Sequence, residues 1–506
     1  MLKKSGSLFP TIYKLFCKQF ALALTFSCLS MGLNAQQFNG FIHSDFSGIL
    51  GARVQPASIA DSPYKWDVSL VNANVFITNN IAFLRNEGET SRIIRFIDDK
   101  QKFLQTNFSL GGLSAMISLP RKQSIGLQYR IRGHVSGTDI SPDFISQVNR
   151  FTDIRFLDSE ASNQSGQIAA SVWRELSFTY AKVVSDDGFN RWKAGVTVKR
   201  INSYGSLYAQ LNELDYQVTG AGLSVIDSID FDIGYSANLD PFEEFGGNES
   251  FSGLPPANKA NYAFDLGVVL ERMASRPSPK NDIGTRLDPD IDYVFRMSAS
   301  ITDLGVMEFA EGEFSTSFQG LVPGVTNPSL NSKFNDAESF QSLVDSLGTV
   351  ANATQRLGRY RVTLPTALHL NYDYNFGNNW YVNANALVDL TALIPADYRL
   401  RYLHNITITP RYEESRRGAY FPLYFNQIGD FHVGLAARLG VLTLGTQNIG
   451  GLLAREKRSI GFFFSLNLNQ LVANSKKPYC FGRTRGTATT RTKRTPLYKR
   501  KKFLFF

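Results

Sequence analysis

The residues with chemical potential are scattered along the chain rather than gathered into a motif. Ser62 and Lys65 form a lone Ser-x-x-Lys pattern without the companion motifs of a serine acyl-transfer site. His43, His134, His369, His404 and His432 stand singly, each with the spacing of a lumen or loop residue rather than of a catalyst. Asp288, Asp290 and Asp292 alternate, which in an extended segment aims three carboxylates one way, as a Ca²⁺ site would require. The glycine and distal glutamate of a calcium loop are missing, so the trio is a weak calcium candidate and a solvated acidic turn is expected. No nucleophile elbow, His-Glu-x-x-His helix or phosphate-binding Gly-Lys loop occurs, so neither an enzyme nor a cofactor is expected.

A second set of charged residues is more coherent. Arg130, Arg132, Lys193, Lys199 and Arg296 oppose Asp265, Glu271 and Asp373, with His369 close by in sequence. Each sits in a segment that alternates polar with apolar residues, so all would share the polar side of a strand. They either line a pathway for a polar solute or pair across a filled interior, and the second is the expected reading.

The elements that would position them are two-faced strands. In SIGLQYRIR, Ile125, Leu127, Tyr129 and Ile131 face one way and Gln128, Arg130 and Arg132 the other. The same rule orders YAFDLGVVLER, TALHLNYDYNF and SIGFFFSLNLN. Strands are expected near 66–77, 109–119, 124–134, 171–183, 191–201, 261–271, 290–301, 364–376, 380–390, 400–412, 419–426, 431–439, 441–449 and 458–471. Short turns alternate with long connections at 78–108, 135–170, 202–260 and 302–363, the habit of an outer-membrane barrel with its long loops outside. The expected fold is therefore all-β: a closed antiparallel transmembrane β-barrel of about fourteen strands with a small N-terminal plug. Tyr262, Tyr293, Phe376, Trp380 and Phe431 are candidates for its interfacial aromatic girdles. Within 336–351, Phe340, Leu343, Val344 and Leu347 recur at helical spacing, predicting a surface helix at the barrel mouth or a docking helix.

The termini give the compartment. Lys3, Lys4, Lys14 and Lys18 precede an apolar run over 20–33 that ends in Leu33-Asn34-Ala35, so residues 1–35 read as a signal peptide. Cys17 and Cys28 would leave with it, and Cys480 then has no disulfide partner. The net charge of +9 is misleading. Eleven cations fall in the tail from Ser475 and four in the leader, leaving the remaining body negative and without electrostatic support for nucleic-acid binding. Residues 36–65 are expected to form the hatch, 66–471 the barrel and 472–506 a basic periplasmic tail.

The stretches FSGILGARVQPASIADSPYKWDVSL, LPTALHLNYDY, LTLGTQNIGG and FFFSLNLNQL resemble a Bacteroidota family of outer-membrane barrels, a domain of unknown function. More distantly the chain is similar to long-chain fatty-acid transporter-like barrels and to the shuttle barrel of the type IX secretion system. That likeness implies an N-terminal hatch marked by Asn-Pro-Ala, matched here by Gln55, Pro56 and Ala57, with glutamine in place of the asparagine. The expected partners are outer-membrane lipids, the barrel assembly machinery, and either a small hydrophobic ligand or a secretion-system component. The function expected first is binding or passing that ligand. A structural or secretion-associated scaffold with long surface loops is the alternative, and an outer-membrane hydrolase comes third.

Overall fold

The computed structural model describes residues 40–469 except 88–89, 97, 148–157, 220–223, 243–256, 258–259, 274–292, 324–338, 454–455 and 458. Fourteen antiparallel strands form one closed sheet. They are β1 (Trp66–Asn79), β2 (Lys102–Gly111 continued by Ser114–Leu119), β3 (Gln123–Ile140), β4 (Gly166–Asp186) and β5 (Asn190–Val218). Next come β6 (Asn261–Met273), β7 (Tyr293–Ala310), β8 (Ala367–Gly377), β9 (Trp380–Asp389) and β10 (Asn405–Glu413). The last four are β11 (Arg417–Tyr420 and Leu423–Asn426), β12 (Phe431–Val433 and Leu435–Leu439), β13 (Leu442–Thr446) and β14 (Ser459–Asn469). Pairing of β1 with β14, from Asp67 against Asn469 to Thr78 against Ser459, removes both edges. An edge in hydrocarbon would leave each unpaired backbone group costing several kcal/mol.

The side-chain distribution is that of a soluble protein turned inside out. Leu127, Tyr129, Leu176, Phe178, Val198, Phe264, Leu266 and Leu370 are 38–51% exposed, while their polar strand neighbours Gln128, Arg130, Glu175, Ser177, Lys199, Asp265 and His369 are buried. Of the girdle candidates, Tyr262, Phe376, Trp380 and Phe431 face outward, whereas Tyr293 turns inward and is buried against Asp373. No helix among the described residues is long and apolar enough to cross a membrane, so crossing falls to the strands. Leu266→Arg, in mid-strand on the outer face, should lower stability in vesicles by about 2–4 kcal/mol. An unchanged urea midpoint would place that face in water.

Several strands outrun the membrane, which corrects the expected loop boundaries. A spanning strand needs about 9–11 residues, yet β5 has 29 and β4 has 21. Half of the expected 202–260 loop is thus strand. It pairs with Ser224–Tyr235, which pairs with Thr316–Leu321, and that with Ala351–Gln355. This arm has its own apolar core, including Leu214, Tyr216, Ile226, Ile233 and Phe318. The helix Phe340–Gly348, with a Ser339/Ser342 capping box, buries Leu343 and Leu347 there. Its apolar stripe is therefore spent on the arm and is not free to cap the barrel mouth or dock elsewhere.

Candidate functional site

The interior is organised around residues 40–64, which precede β1. Ser44 opens the 3-10 run Asp45–Arg53 by accepting from the Phe46 amide, and Gln55 opens the turn Pro56–Ile59 by accepting from the Ala57 amide, with proline at the first position. Buried residues Phe46, Ile49, Ala52, Ile59, Ala60 and Tyr64 pack on Met116, Ala181 and Val183. Phe41, Ile42, Leu50 and Val54 pack on Tyr420, Ala436 and Phe463.

The wall makes room for this backbone with small residues. Gly267 of β6 stands opposite Gly195 of β5 and Ser300 of β7, and Gly195 opposite Ala181 of β4. A Cβ on Gly195 would lie 2.5 Å from the Ala57 nitrogen, and one on Gly267 would collide with the Gln55 side chain. Gln55 Nε2 donates to the Val268 and Ala299 carbonyls at 3.1 Å each, and Arg53 Nε to Gln128 Oε1 at 3.0 Å. Charges complete the seat: Arg191 pairs with Asp61, Arg296 with Asp45 at 2.5 Å, and the Ser44 hydroxyl donates to Glu413.

The candidate lumen residues fall into three ion-pair groups. Arg130 and Arg132 share Glu175, Arg132 also reaches Asp303 at 2.8 Å, and Lys199 bridges Asp265 and Asp303 at 2.7 and 2.6 Å. Lys193 pairs with Glu271 at 2.6 Å, with Arg191 at 3.5 Å from the same carboxylate. Asp373 accepts two bonds of 2.7 Å from Arg411, one of 2.9 Å from Arg296 and one of 2.6 Å from the Tyr293 hydroxyl. His369 joins none of these groups. Its Nε2 lies 3.3 Å from Thr302 Oγ1, and it lines a small polar gap with His43, Asn107, Asn385 and Tyr402. A second small gap lies between His43, Asp45, Gln55 and the Lys193, Glu271 and Arg296 side chains.

Sequence reasoning missed Glu175, Arg191, Asp303 and Arg411. Strand parity alone finds Glu175, since Trp173, Glu175, Ser177 and Thr179 alternate with Leu176, Phe178 and Tyr180. Asp303 was not legible. It sits at a bulge with φ 58°, its amide donating to Asp265 Oδ1. The calcium trio lies outside the described residues, and no metal-ligating cluster occurs among those described. Ser62 is buried and accepts from the Tyr64 amide.

Above the ion pairs the interior turns apolar. Trp173, Ile201, Met307, Tyr360 and Leu400 are buried together, and the Tyr208 and Tyr398 rings stack at 3.7 Å. On the loop side of this cluster, burial lifts the Glu311 carboxyl above the usual carboxylate range although the Tyr208 hydroxyl donates to it.

This is a closed fourteen-strand transmembrane barrel of outer-membrane type with a polar, densely paired interior. The chain belongs to the family of unknown function DUF5723, whose pattern matches residues 56–447. Among solved structures it is similar to the toluene transporter TbuX of Ralstonia pickettii, at 9% identity over 83% of this chain and 94% of that one, with TM-score 0.39. It is also similar to a Pseudomonas aeruginosa FadL homologue, at 11% identity over 83% and 93%, with TM-score 0.37. No curated protein matches it. Likenesses this distant carry no weight beside the strand pairings themselves.

Proposed function

We propose that this protein is a gated outer-membrane barrel that binds or passes a small ligand, with residues 40–64 as the plug that closes it. The observation that carries the reading is the seat of that segment: a belt of glycine, alanine and serine on the inner wall that admits its backbone. A strand interior gains nothing from glycine unless another chain must approach closely. Around that belt, several contacts are side-chain hydrogen bonds and ion pairs, which water can replace when a plug shifts. A ligand arriving from the loop side passes the Glu311 and Arg356 pair and then meets the apolar rings around Tyr208 and Tyr398 before the lumen ion pairs, which favours a hydrophobic solute. Export by a signal peptide and insertion by the barrel assembly machinery belong to the same reading. No catalytic step is assigned.

Deletion of residues 40–64 tests it in planar bilayers, alongside vesicle uptake of a small hydrophobic dye. The intact protein should be closed and the deletion variant conducting, both with the heat-modifiable gel mobility of folded barrels. A folded deletion variant that stays closed overturns the reading. The folded arm favours a second reading, a scaffold for a secretion-associated or surface partner, because its core contributes nothing to spanning the membrane. On that reading a partner co-purifies through the arm and the deletion leaves conductance unchanged.

A further inference from the structure

The outer wall carries charges that neither the paired interior nor the plug uses. On β4 the outward residues run Val184, Lys182, Tyr180, Phe178 and Leu176, and then Arg174. On β5 the outward row passes Trp192, Ala194, Val196 and Val198 before Arg200. On β6 it runs Leu270, Val268, Leu266 and Phe264 before Tyr262. The register sets Leu176 against Arg200, Arg174 against Asn202, and Arg200 against Tyr262. The two guanidiniums thus stand one diagonal step apart on neighbouring strands. Arg174 lies 5.8 Å over the Tyr204 ring.

Their height on the barrel follows from strand length. From Val184 to Arg174 the outward row covers about ten residues, the span of one membrane crossing. Arg174 and Arg200 therefore mark where acyl chains give way to headgroups on the long-loop side. Elsewhere the buried arginines Arg130, Arg132, Arg191, Arg296 and Arg411 are each held by carboxylates. Arg174 and Arg200 have no carboxylate partner among the described residues. A guanidinium at that depth next to hydrocarbon needs an anion, and its planar fork matches phosphate oxygens.

We propose that Arg174 and Arg200, flanked by Tyr204 and Tyr262, form a binding site for the phosphorylated headgroup of a lipid in the outer leaflet. The arginines hold the phosphate, and Phe178, Leu176 and Val198 directly below receive the acyl chain. The rings beside the arginines keep the guanidiniums at the interface, Tyr204 by cation–π contact.

Native mass spectrometry of the full chain released from phosphatidylcholine nanodiscs tests this, with either lipid A or dephosphorylated lipid A added. The wild type should retain lipid A and shed the dephosphorylated form. In Arg174→Ala/Arg200→Ala retention should fall about thirtyfold, while Arg174→Lys/Arg200→Lys retains more than the alanine pair. Lys182→Ala, near the opposite edge of the band, should leave retention unchanged. Equal retention of both lipids by the wild type, or of lipid A by the folded alanine pair, overturns the site. Should the alanine pair lose its heat-modifiable mobility, the wild-type comparison of the two lipids decides alone.

Discussion

Asp373→Ala should destabilise the barrel by about 3–5 kcal/mol, the cost of leaving buried charges uncompensated. Asp373 is fully buried and is held by Arg411, Arg296 and the Tyr293 hydroxyl. Without it, Arg411 keeps only Glu413 and Arg296 only Asp45 as ion-pair partners, among the described residues. Asp373→Asn preserves the shape and an acceptor for Tyr293, so its loss should be smaller. The midpoint of urea unfolding from vesicles measures both. A shift under about 1 kcal/mol for the alanine variant would mean that the lumen charges are not structural, and would favour a solute pathway along them. Because Arg296 also holds Asp45, the alanine variant should loosen residues 40–64 as well as the wall.

Gly195→Val should unseat that segment without removing any charge. The added Cβ falls 2.5 Å from the backbone of Pro56 and Ala57, and backbone cannot yield as a flexible side chain would. Overpacking of a filled site costs about 1–3 kcal/mol, comparable to the few hydrogen bonds that Gln55 contributes, so displacement of the turn is the cheaper response. Arg53 is 8% exposed in the seated form. Trypsin should therefore cut the valine variant at Arg53 quickly and the wild type slowly, with brief conducting openings in the same variant. Ala194→Val, on the adjacent outward position, is the control and should behave as wild type. Equal protection of Arg53 in both variants would show that the segment seats independently of the glycine belt.

The lipid-facing half of the molecule was legible because alternation in a closed sheet maps directly onto its two solvents, as in SIGLQYRIR and YAFDLGVVLER. The inward charges were legible for the same reason, and Arg130, Lys193, Lys199, Asp265 and Asp373 all lie where strand parity places them. Asp265, Glu271 and Asp373 were legible as partners of the cations, whereas others were not, because pairing depends on which strands the register brings together: Lys199 also meets Asp303 across 104 positions and Arg296 meets Asp45 across 251. Tyr293 was misplaced because an aromatic residue at a strand end satisfies the girdle pattern on either face. Strand length was underestimated in β5 because, beyond the membrane, polar residues such as Asn212 and Glu213 replace the apolar half of the pattern while the backbone goes on pairing with Ser224–Tyr235 across a bulge at Asn212.

That continuation has a mechanical result. Residues of β5 that hold the interior charges, Arg191 to Lys199, and residues that build the external arm, Leu207 to Val218, belong to one unbroken strand. A load applied to the arm reaches Lys199 and its carboxylates as tension along a single covalent backbone, interrupted in register by one bulge at Tyr204. What happens at the surface of this barrel is therefore felt in its centre.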